Sequence, residues 1–139
     1  MNFNLNFRSL DARRSGGFAE HVNINNNSTI TQVTKDGNKL SVGFVFTSTY
    51  EPNIGLIRIE GDVAVEDTQE TIDEAYSEWE KSQSKKLPKN MAEKTHHIII
   101  SNCMVEASIL ARDVKLPAPM PVPKMGTEKK EPADTGYIR

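Results

Sequence analysis

The chain has 139 residues, of which 37% are hydrophobic and 26% charged, and its formal net charge is −2. This length predicts one domain, and the near balance of 17 basic and 19 acidic side chains gives no reason to expect nucleic-acid binding. The single cysteine excludes an internal disulfide framework and a paired-cysteine zinc site. The N-terminal residues lack the pattern of a signal peptide, and no apolar run reaches the roughly 18 residues of a membrane span. We therefore expect a cytoplasmic protein without membrane insertion.

Two extended segments are predicted near the N-terminus. Phe3, Leu5 and Phe7 alternate with polar residues, which is typical of a strand with one buried face. Residues 11–20 interrupt this alternation and contain paired glycines, so they predict a crossover. A second strand is expected over residues 21–35, with a bulge or break in its asparagine-rich middle at 25–28.

A hairpin and two further strands follow. The Asp36-Gly37 pair is typical of a tight turn, because it readily supplies the positive φ that such a turn needs. Beyond it, apolar residues alternate over 40–46 and recur over 54–65, with a turn predicted at 50–53. These segments predict four antiparallel strands in a meander.

The second half of the chain has helical periodicity. Asp67 and Glu70 have the spacing of a capping box. The residues that follow at i, i+3, i+4 and i+7 form one apolar stripe, made of Ile72, Ala75, Tyr76 and Trp79. Together they predict a helix of about four turns with a charged outer face.

A second, longer helix is predicted from a capping box at Asn90 and Glu93 to about Val114. Between residues 98 and 111 its apolar side chains occupy nearly the whole circumference. A helix that is apolar on more than one face is buried on more than one side. One side can face the sheet, and the other is expected to face a partner chain or a ligand.

The C-terminal residues change composition twice. Residues 116–123 carry a proline at every second position from Pro117 to Pro123, so this Pro-rich segment is predicted to be extended. Residues 124–139 are polar and too poor in apolar side chains to fold. We predict one domain over 1–123 and a flexible polar tail over 124–139.

Candidate catalytic groups are few. His96 and His97 are adjacent and therefore point about 100° apart on a helix, and only Glu93 could join either of them around a metal. Cys103 lies within an apolar helix and is expected to be buried and structural. No phosphate-binding loop, dinucleotide fingerprint or nucleophile elbow occurs. We therefore expect neither an enzyme nor a cofactor, and no metal.

The acidic residues of the first helix have two readings. Spread over four turns opposite an apolar stripe, they are typical of a solvated face. They could instead dock a basic partner, which would make the protein a structural or adaptor protein. A small metal- or histidine-dependent enzyme that uses His96, His97 and Glu93 is the remaining alternative.

The order of these elements resembles that of the SecB-like proteins. The best local match is residues 99–123, IISNCMVEASILARDVKLPAPMPVP, which are similar to that family's terminal helix, with a cysteine in its first half, and to the Pro/Leu segment after it. The resemblance implies an α+β fold, with a four-stranded antiparallel sheet and two helices packed on one face. It also implies a homo-dimer or tetramer that holds unfolded polypeptide in apolar grooves. The short crossover and the mixed-charge tail depart from the family's export chaperone and favour a stand-alone or antitoxin-directed chaperone.

On this basis the apolar residues divide into two sets of candidates. The expected polypeptide-binding residues are Phe18, Val22, Phe44, Phe46, Tyr50, Leu110, Leu116, Met120 and Val122. The expected oligomer-interface residues are Phe3, Leu5, Phe7, Ile98, Ile99, Val105 and Ile109. Methionines near these surfaces would supply adaptable contacts to varied partners.

Overall fold

The computed structural model describes residues 1–16, 21–83 and 86–119 of the chain. Its strands are β1 (Asn2–Arg14), β2 (Asn23–Asp36), β3 (Lys39–Glu51) and β4 (Gly55–Glu66). Its helices are α1 (Gln69–Lys81) and α2 (Lys89–Asp113). The strands form one antiparallel sheet in the order β1-β4-β3-β2, and both helices pack on the same face of it, as predicted. No helix in the described ranges is long and apolar enough to cross a membrane.

The connections explain this strand order. Gly37 adopts a φ of +62° in the two-residue turn between β2 and β3, so the predicted hairpin is confirmed. A second short turn returns the chain from β3 to β4, and β1 pairs with the free side of β4. The edges of the sheet are therefore β1 on one side and β2 on the other.

The first strand is longer than predicted. β1 continues to Arg14, so a crossover that begins at Asp11 is wrong, and residues 17–20 of the expected crossover lie outside the described residues. A bulge between Phe7 and Ser9 shifts the register by one residue, after which Leu10 faces the same side as the earlier odd-numbered residues. The shift ends the simple alternation of apolar and polar residues. This loss of alternation was wrongly interpreted as the end of the strand.

The second strand also differs from its prediction. β2 pairs with β3 without interruption through the asparagine-rich stretch, so a break at 25–28 is wrong. The register shift lies between Ile30 and Gln32 instead. The asparagines at 25 and 27 face the open side of the sheet, where water or polar neighbours can satisfy their amides.

The core lies between the sheet and the helices. The inward-facing side chains of β3 and β4 are almost completely buried, namely Leu40, Val42, Phe44, Phe46, Tyr50, Ile57, Ile59, Val63 and Val65. Helix α2 covers them with a stripe at every fourth position, formed by Met91, Thr95, Ile99, Cys103, Ala107 and Ala111. Helix α1 contributes Ile72, Ala75 and Trp79, which confirms three of the four residues of its predicted stripe as buried.

The predicted capping boxes do not form. In α1 the N-cap is Thr68, whose hydroxyl accepts a hydrogen bond from the backbone N–H of Thr71 at 3.2 Å. The Asp67 carboxylate instead accepts from the N–H of Thr68 at 2.7 Å. Helix α2 begins after Pro88, which has no capping side chain, so Asn90 lies inside the first turn. With Pro88 as the N-cap, the helix begins two residues earlier than it would with a cap at Asn90.

Candidate polypeptide-binding surface

An extended segment crosses the inner face of the sheet after α2. We call residues 115–119 the strap. The Leu116 side chain packs on Gly55 of β4, so closely that a Cβ atom at Gly55 would lie 2.8 Å from Leu116 Cδ1. Further along, the Tyr50 hydroxyl donates to the Pro117 carbonyl oxygen at 2.6 Å. The Asn26 amide Nδ2 donates to the Pro119 carbonyl oxygen at 3.2 Å. The strap thus passes from β4 over β3 to the edge strand β2.

The two donors that hold the strap are themselves fixed. The Ser48 hydroxyl, which is completely buried, donates to Asn26 Oδ1 at 2.6 Å and so orients the amide toward the strap. Burial raises the pKa of Tyr50 to about 12, so its hydroxyl keeps its proton and remains a donor at neutral pH. The sheet therefore presents two oriented hydrogen-bond donors to the carbonyl groups of an extended chain.

A groove continues along β2 beyond the end of the strap. The groove is the cavity of about 660 Å³ lined by Ile30 of β2 and by five residues of α2, namely Ala92, Glu93, His96, His97 and Ile100. Ile30, Ala92 and Ile100 are half-buried side chains that pack against the core. The groove is therefore an apolar channel between an edge strand and a helix, open to solvent.

Polar groups lie between the strap and the groove. Ser28 follows Asn26 on the inner face of β2, and its hydroxyl lies 3.2 Å from His96 Nδ1, which makes a hydrogen bond across to α2. A hydroxyl and a neutral imidazole can each donate or accept a hydrogen bond. Along β2 the surface thus offers a polar group and then an apolar wall, which suits an extended polypeptide that brings both carbonyls and apolar side chains.

A second apolar surface lies on the outward side of α2. Val105 is 55% exposed and Ile109 is 40% exposed, one helical turn apart. Ile98 is half-buried and borders a separate cavity of about 390 Å³ together with Phe3 of β1. The side-chain amide of Asn102 donates to the Ile98 carbonyl oxygen at 2.8 Å and so is satisfied within the helix. We call this surface, Ile98, Asn102, Val105 and Ile109, the α2 seam.

The predicted polypeptide-binding residues are placed differently from one another. Phe44, Phe46 and Tyr50 are completely buried, and Leu116 is nearly so, because the helices and the strap cover them. Val22 and Leu110 are half-buried at the edge of the core. Phe18, Met120 and Val122 lie outside the described residues. Of this set, the completely buried aromatic residues offer no side-chain surface to another molecule in this structure.

The predicted interface residues likewise fall into groups. Val105 and Ile109 are exposed, as interface residues must be in a single chain without its partner. Four others are half-buried, namely Phe3, Leu5, Phe7 and Ile98. The three in this group that belong to the edge strand β1 pack against the core. Ile99 is 1% exposed and belongs to the buried stripe of α2, so it contacts the sheet and not a neighbouring chain.

The sequence reading missed Asn26, Ser28, Ile30 and Ile100 as surface-forming residues. Every second residue of a strand lies on the same face of the sheet. One face of β2 therefore carries two apolar and two polar residues, namely Ile24, Ile30, Asn26 and Ser28. This alternation is present in the sequence, but the break expected at 25–28 divides it, so the shared face was not predicted. The contact between Asn26 and Pro119 spans 93 positions, and no local pattern could indicate it.

The candidate catalytic and acidic residues form no further site in the described ranges. No group of three His, Cys, Asp or Glu side chains that could hold a metal occurs there. His96 contacts Ser28, whereas His97 lies 3.5 Å from the Ser101 hydroxyl. Cys103 is completely buried as predicted, and burial, with a smaller effect of Glu106, raises the pKa of its thiol to about 12.

The acidic face of α1 is exposed, as the solvated-face reading predicts. Its Asp73 accepts a hydrogen bond from Lys35 of β2 at 2.9 Å, and this contact holds the pKa of that carboxyl below its ordinary value. One member of the acidic face therefore serves to join α1 to the sheet.

Comparison with protein-family models, with curated proteins and with solved structures gives no match for this chain.

Proposed function

We propose that the chain is a SecB-like, cytoplasmic polypeptide-binding module that holds unfolded or partly folded chains in its apolar groove, as a homo-oligomer. The observation that carries this proposal is the strap. It is an extended, Pro-rich segment that the sheet already holds through Tyr50 and Asn26, which donate to its backbone carbonyls. A surface that binds its own chain in this way has the chemistry to bind the backbone of another.

The groove supports the same proposal. It continues the surface of the strap along β2 and offers apolar walls from Ile30, Ala92 and Ile100. Binding of varied unfolded chains needs apolar area for side chains and hydrogen-bond partners for a backbone without its own partners. The hydrogen-bond donors lie under the strap and the apolar walls line the groove, and both sites include residues of β2. The α+β fold that the SecB-like resemblance implies is the fold of this chain.

The α2 seam supports the homo-oligomer. Residues 98, 102, 105 and 109 are spaced by four, three and four positions, which is the spacing of a helix–helix contact. Exposed apolar side chains arranged in this way on a folded surface are typical of protein interfaces. A second copy of α2 would cover Val105 and Ile109, and Asn102 would be the polar position that fixes the register.

Oligomerisation is tested by light scattering coupled to size-exclusion chromatography. We expect a mass of two or four chains for the native protein and a smaller mass for the variant Val105→Lys/Ile109→Lys. The matched control is Leu56→Lys, because Leu56 is 37% exposed on the opposite face of the sheet. A native protein that elutes as a single chain at micromolar concentration contradicts the oligomer.

Polypeptide binding is tested by a holdase assay on a slowly folding, chemically denatured substrate protein. We expect the native protein to slow its refolding and the groove variant Ile100→Ser to slow it less. Leu56→Ser is the control, because it removes an apolar side chain on the opposite face of the sheet, away from the groove. Refolding that the native protein leaves unchanged contradicts the proposed function.

A further inference from the structure

We propose that the surface beneath the strap is a recognition site for polyproline-type segments. In this proposal the strap is the resident ligand, and a segment of the same type from another polypeptide replaces it. We call this surface, formed by Arg14, Asn26, Tyr50 and Gly55, the strap site. The inference rests on the proposed function, because it names a class of polypeptide that the chain binds, and it concerns a site separate from the groove.

The strap site offers hydrogen-bond donors to alternate carbonyl groups of its ligand. Three side chains donate to the carbonyl oxygens of residues 115, 117 and 119, namely Arg14 Nη1 at 3.0 Å, the Tyr50 hydroxyl at 2.6 Å and Asn26 Nδ2 at 3.2 Å. The other polar atom of the Asn26 side chain, Oδ1, already accepts from Ser48. These contacts therefore select a ligand for its carbonyl acceptors.

Such a surface favours a proline-rich ligand. A proline brings a carbonyl acceptor but no backbone N–H, whereas any other residue brings a donor that also needs a partner when it is buried. Pro117 and Pro119 therefore meet the donors without leaving an N–H unpaired. Proline also fixes its own φ and keeps the residue before it extended, so residues 116–119 lose little conformational entropy when they bind.

The burial of the strap follows the period of a polyproline helix. Leu116 is 7% exposed and Pro119 is buried, whereas Pro117 and Ala118 between them are exposed. A polyproline helix has three residues per turn, so positions 116 and 119 lie on the same side. Leu116 packs on Gly55, where a larger residue would take its place. The recognised pattern is an apolar residue, a proline, an exposed residue and a second proline.

The dimensions of the sheet agree with this pattern. The strap crosses from Gly55 on β4 over β3 to Asn26 on β2, which is two strand spacings or about 10 Å. The three steps from Leu116 to Pro119 span about 9 Å in polyproline geometry. One turn of such a helix thus places its two buried residues over the first and the last of the three strands.

The strap is held by these contacts and not by the turn that precedes it. Helix α2 ends in a Schellman motif, in which the Lys115 N–H donates to the Arg112 carbonyl at 3.2 Å and the Leu116 N–H to the Ala111 carbonyl at 2.8 Å. Glycine usually occupies the position of Lys115, whose φ of +61° is unfavourable for a residue with a Cβ atom. A ligand from another polypeptide avoids this cost, which the resident strap bears.

The test measures binding of a fluorescein-labelled peptide with the sequence of residues 113–119 to the full chain, by fluorescence anisotropy. In the variant Leu116→Ser the resident strap loses its apolar anchor, so we expect the peptide to bind this variant at least tenfold more tightly than the native chain. Leu56→Ser is the matched control on the opposite face of the sheet and should bind the peptide as the native chain does. Equal Kd values for the native chain and Leu116→Ser, or no binding to either, overturn the inference.

The ligand class is tested with a second peptide, in which alanine replaces both prolines. This peptide keeps the leucine anchor but brings two additional N–H groups and a more flexible backbone. We expect it to bind Leu116→Ser at least tenfold more weakly than the first peptide. Equal affinities for the two peptides contradict the recognition of proline.

The location of the site is tested by a further substitution in the Leu116→Ser chain. Asn26→Ala removes a donor of the strap site and should weaken binding of the first peptide several-fold. Asn25→Ala is the matched control, because Asn25 is the neighbour on β2 that points to the opposite face of the sheet, and it should leave binding unchanged. Equal effects of the two substitutions place the peptide outside the strap site and overturn the inference.

A measurement on the native chain needs no substitution and holds even where a variant fails to fold. The strap is tethered to its site at an effective concentration in the millimolar range, so a millimolar excess of the first peptide should compete with it. We expect the methyl resonances of Leu116 to move toward those of an unstructured chain, while those of Val45 on the opposite face stay in place. Leu116 resonances that do not move contradict replacement of the strap.

The holdase assay separates this inference from the proposed function. A native chain that leaves refolding unchanged contradicts the proposed function, whatever the peptide does. A native chain that slows refolding through the groove, together with a peptide that binds neither the native chain nor Leu116→Ser, contradicts the strap site alone.

Discussion

Thr95 is a polar residue in the apolar stripe of α2, and its hydroxyl is completely buried without a hydrogen-bond partner among the described residues. Burying such a group costs about 1–3 kcal/mol, which a methyl group of the same size avoids. We therefore expect Thr95→Val to raise the free energy of unfolding by about 1 kcal/mol. Urea unfolding followed by circular dichroism measures this change.

The control for this substitution is Thr95→Ser, which keeps the hydroxyl and removes only the methyl group. It should lower the free energy of unfolding, because it leaves a small cavity and an unpartnered hydroxyl. If the valine variant is less stable than the native chain, the Thr95 hydroxyl has a partner after all.

Cys103 and Tyr50 give the stability of the protein a dependence on alkaline pH. Their ordinary pKa values are 9.0 and 10.0, and burial raises both to about 12 in the folded chain. Between pH 9 and 12 the unfolded chain therefore releases protons that the folded chain keeps. The free energy of unfolding must fall as the pH rises through this window and is unaffected by these two groups below it.

Urea unfolding at intervals between pH 8 and 11 measures this fall. The variant Cys103→Ala/Tyr50→Phe should show a smaller fall than the native chain, although its stability at pH 8 is lower. Parallel pH profiles for the two proteins would mean that neither group carries the effect.

At the scale of the helix, the residues that cap α1 can be told apart by mutation. The Thr68 hydroxyl accepts from the N–H of Thr71, whereas Glu70 is exposed and makes no capping contact. We expect Thr68→Ala to lower the free energy of unfolding by about 1 kcal/mol, because it leaves that N–H without an acceptor. Glu70→Ala, which removes the carboxylate that a capping box would use, should change it much less. Equal losses, measured by thermal or urea unfolding, would restore the capping box that the sequence suggests.

The elements also show how far the sequence could be read. The number, type and order of strands and helices could be predicted, because alternation over 40–46 and helical spacing over 72–79 are local properties. The bulges in β1 and β2 could have been located by the change of parity, from Phe7 to Leu10 and from Ile30 to Val33. A pattern with period two has no way to express an inserted residue, so the β1 bulge was misread as the end of the strand. In β2 the irregularity was expected at the asparagines 25–28, whereas the bulge lies between Ile30 and Gln32.

The candidate site was less predictable than the fold, because it depends on which distant segments of the chain cover each apolar face. The aromatic residues of β3 were expected to line a groove, but the strap and the helices cover them. Whether an apolar residue is core or surface depends on what packs over it, and here the covering residues are distant in sequence. The surplus of apolar residues on α2 was correctly read, since Val105 and Ile109 remain exposed after the core is complete. Local periodicity indicates that a face is apolar but not which distant segment covers it.

At the scale of the whole molecule, an oligomer makes stability depend on protein concentration. If the α2 seam joins two copies, unfolding must also dissociate them, and mass action then raises Tm as the protein becomes more concentrated. We expect Tm of the native protein to rise by several degrees between about 1 and 100 μM in scanning calorimetry or thermal circular dichroism.

The variant Val105→Lys/Ile109→Lys decides whether the seam is responsible for this dependence. Its side chains change only at positions that the single chain already leaves exposed, so the fold should tolerate the charges while like-charge repulsion and lost apolar burial separate the copies. Its Tm should then be independent of concentration, whereas Leu56→Lys should keep the native dependence. A native Tm that is the same at both concentrations would contradict an oligomer. A lysine variant that keeps the concentration dependence would place the contact between copies elsewhere, because only a seam that buries these two side chains couples their charge to dissociation.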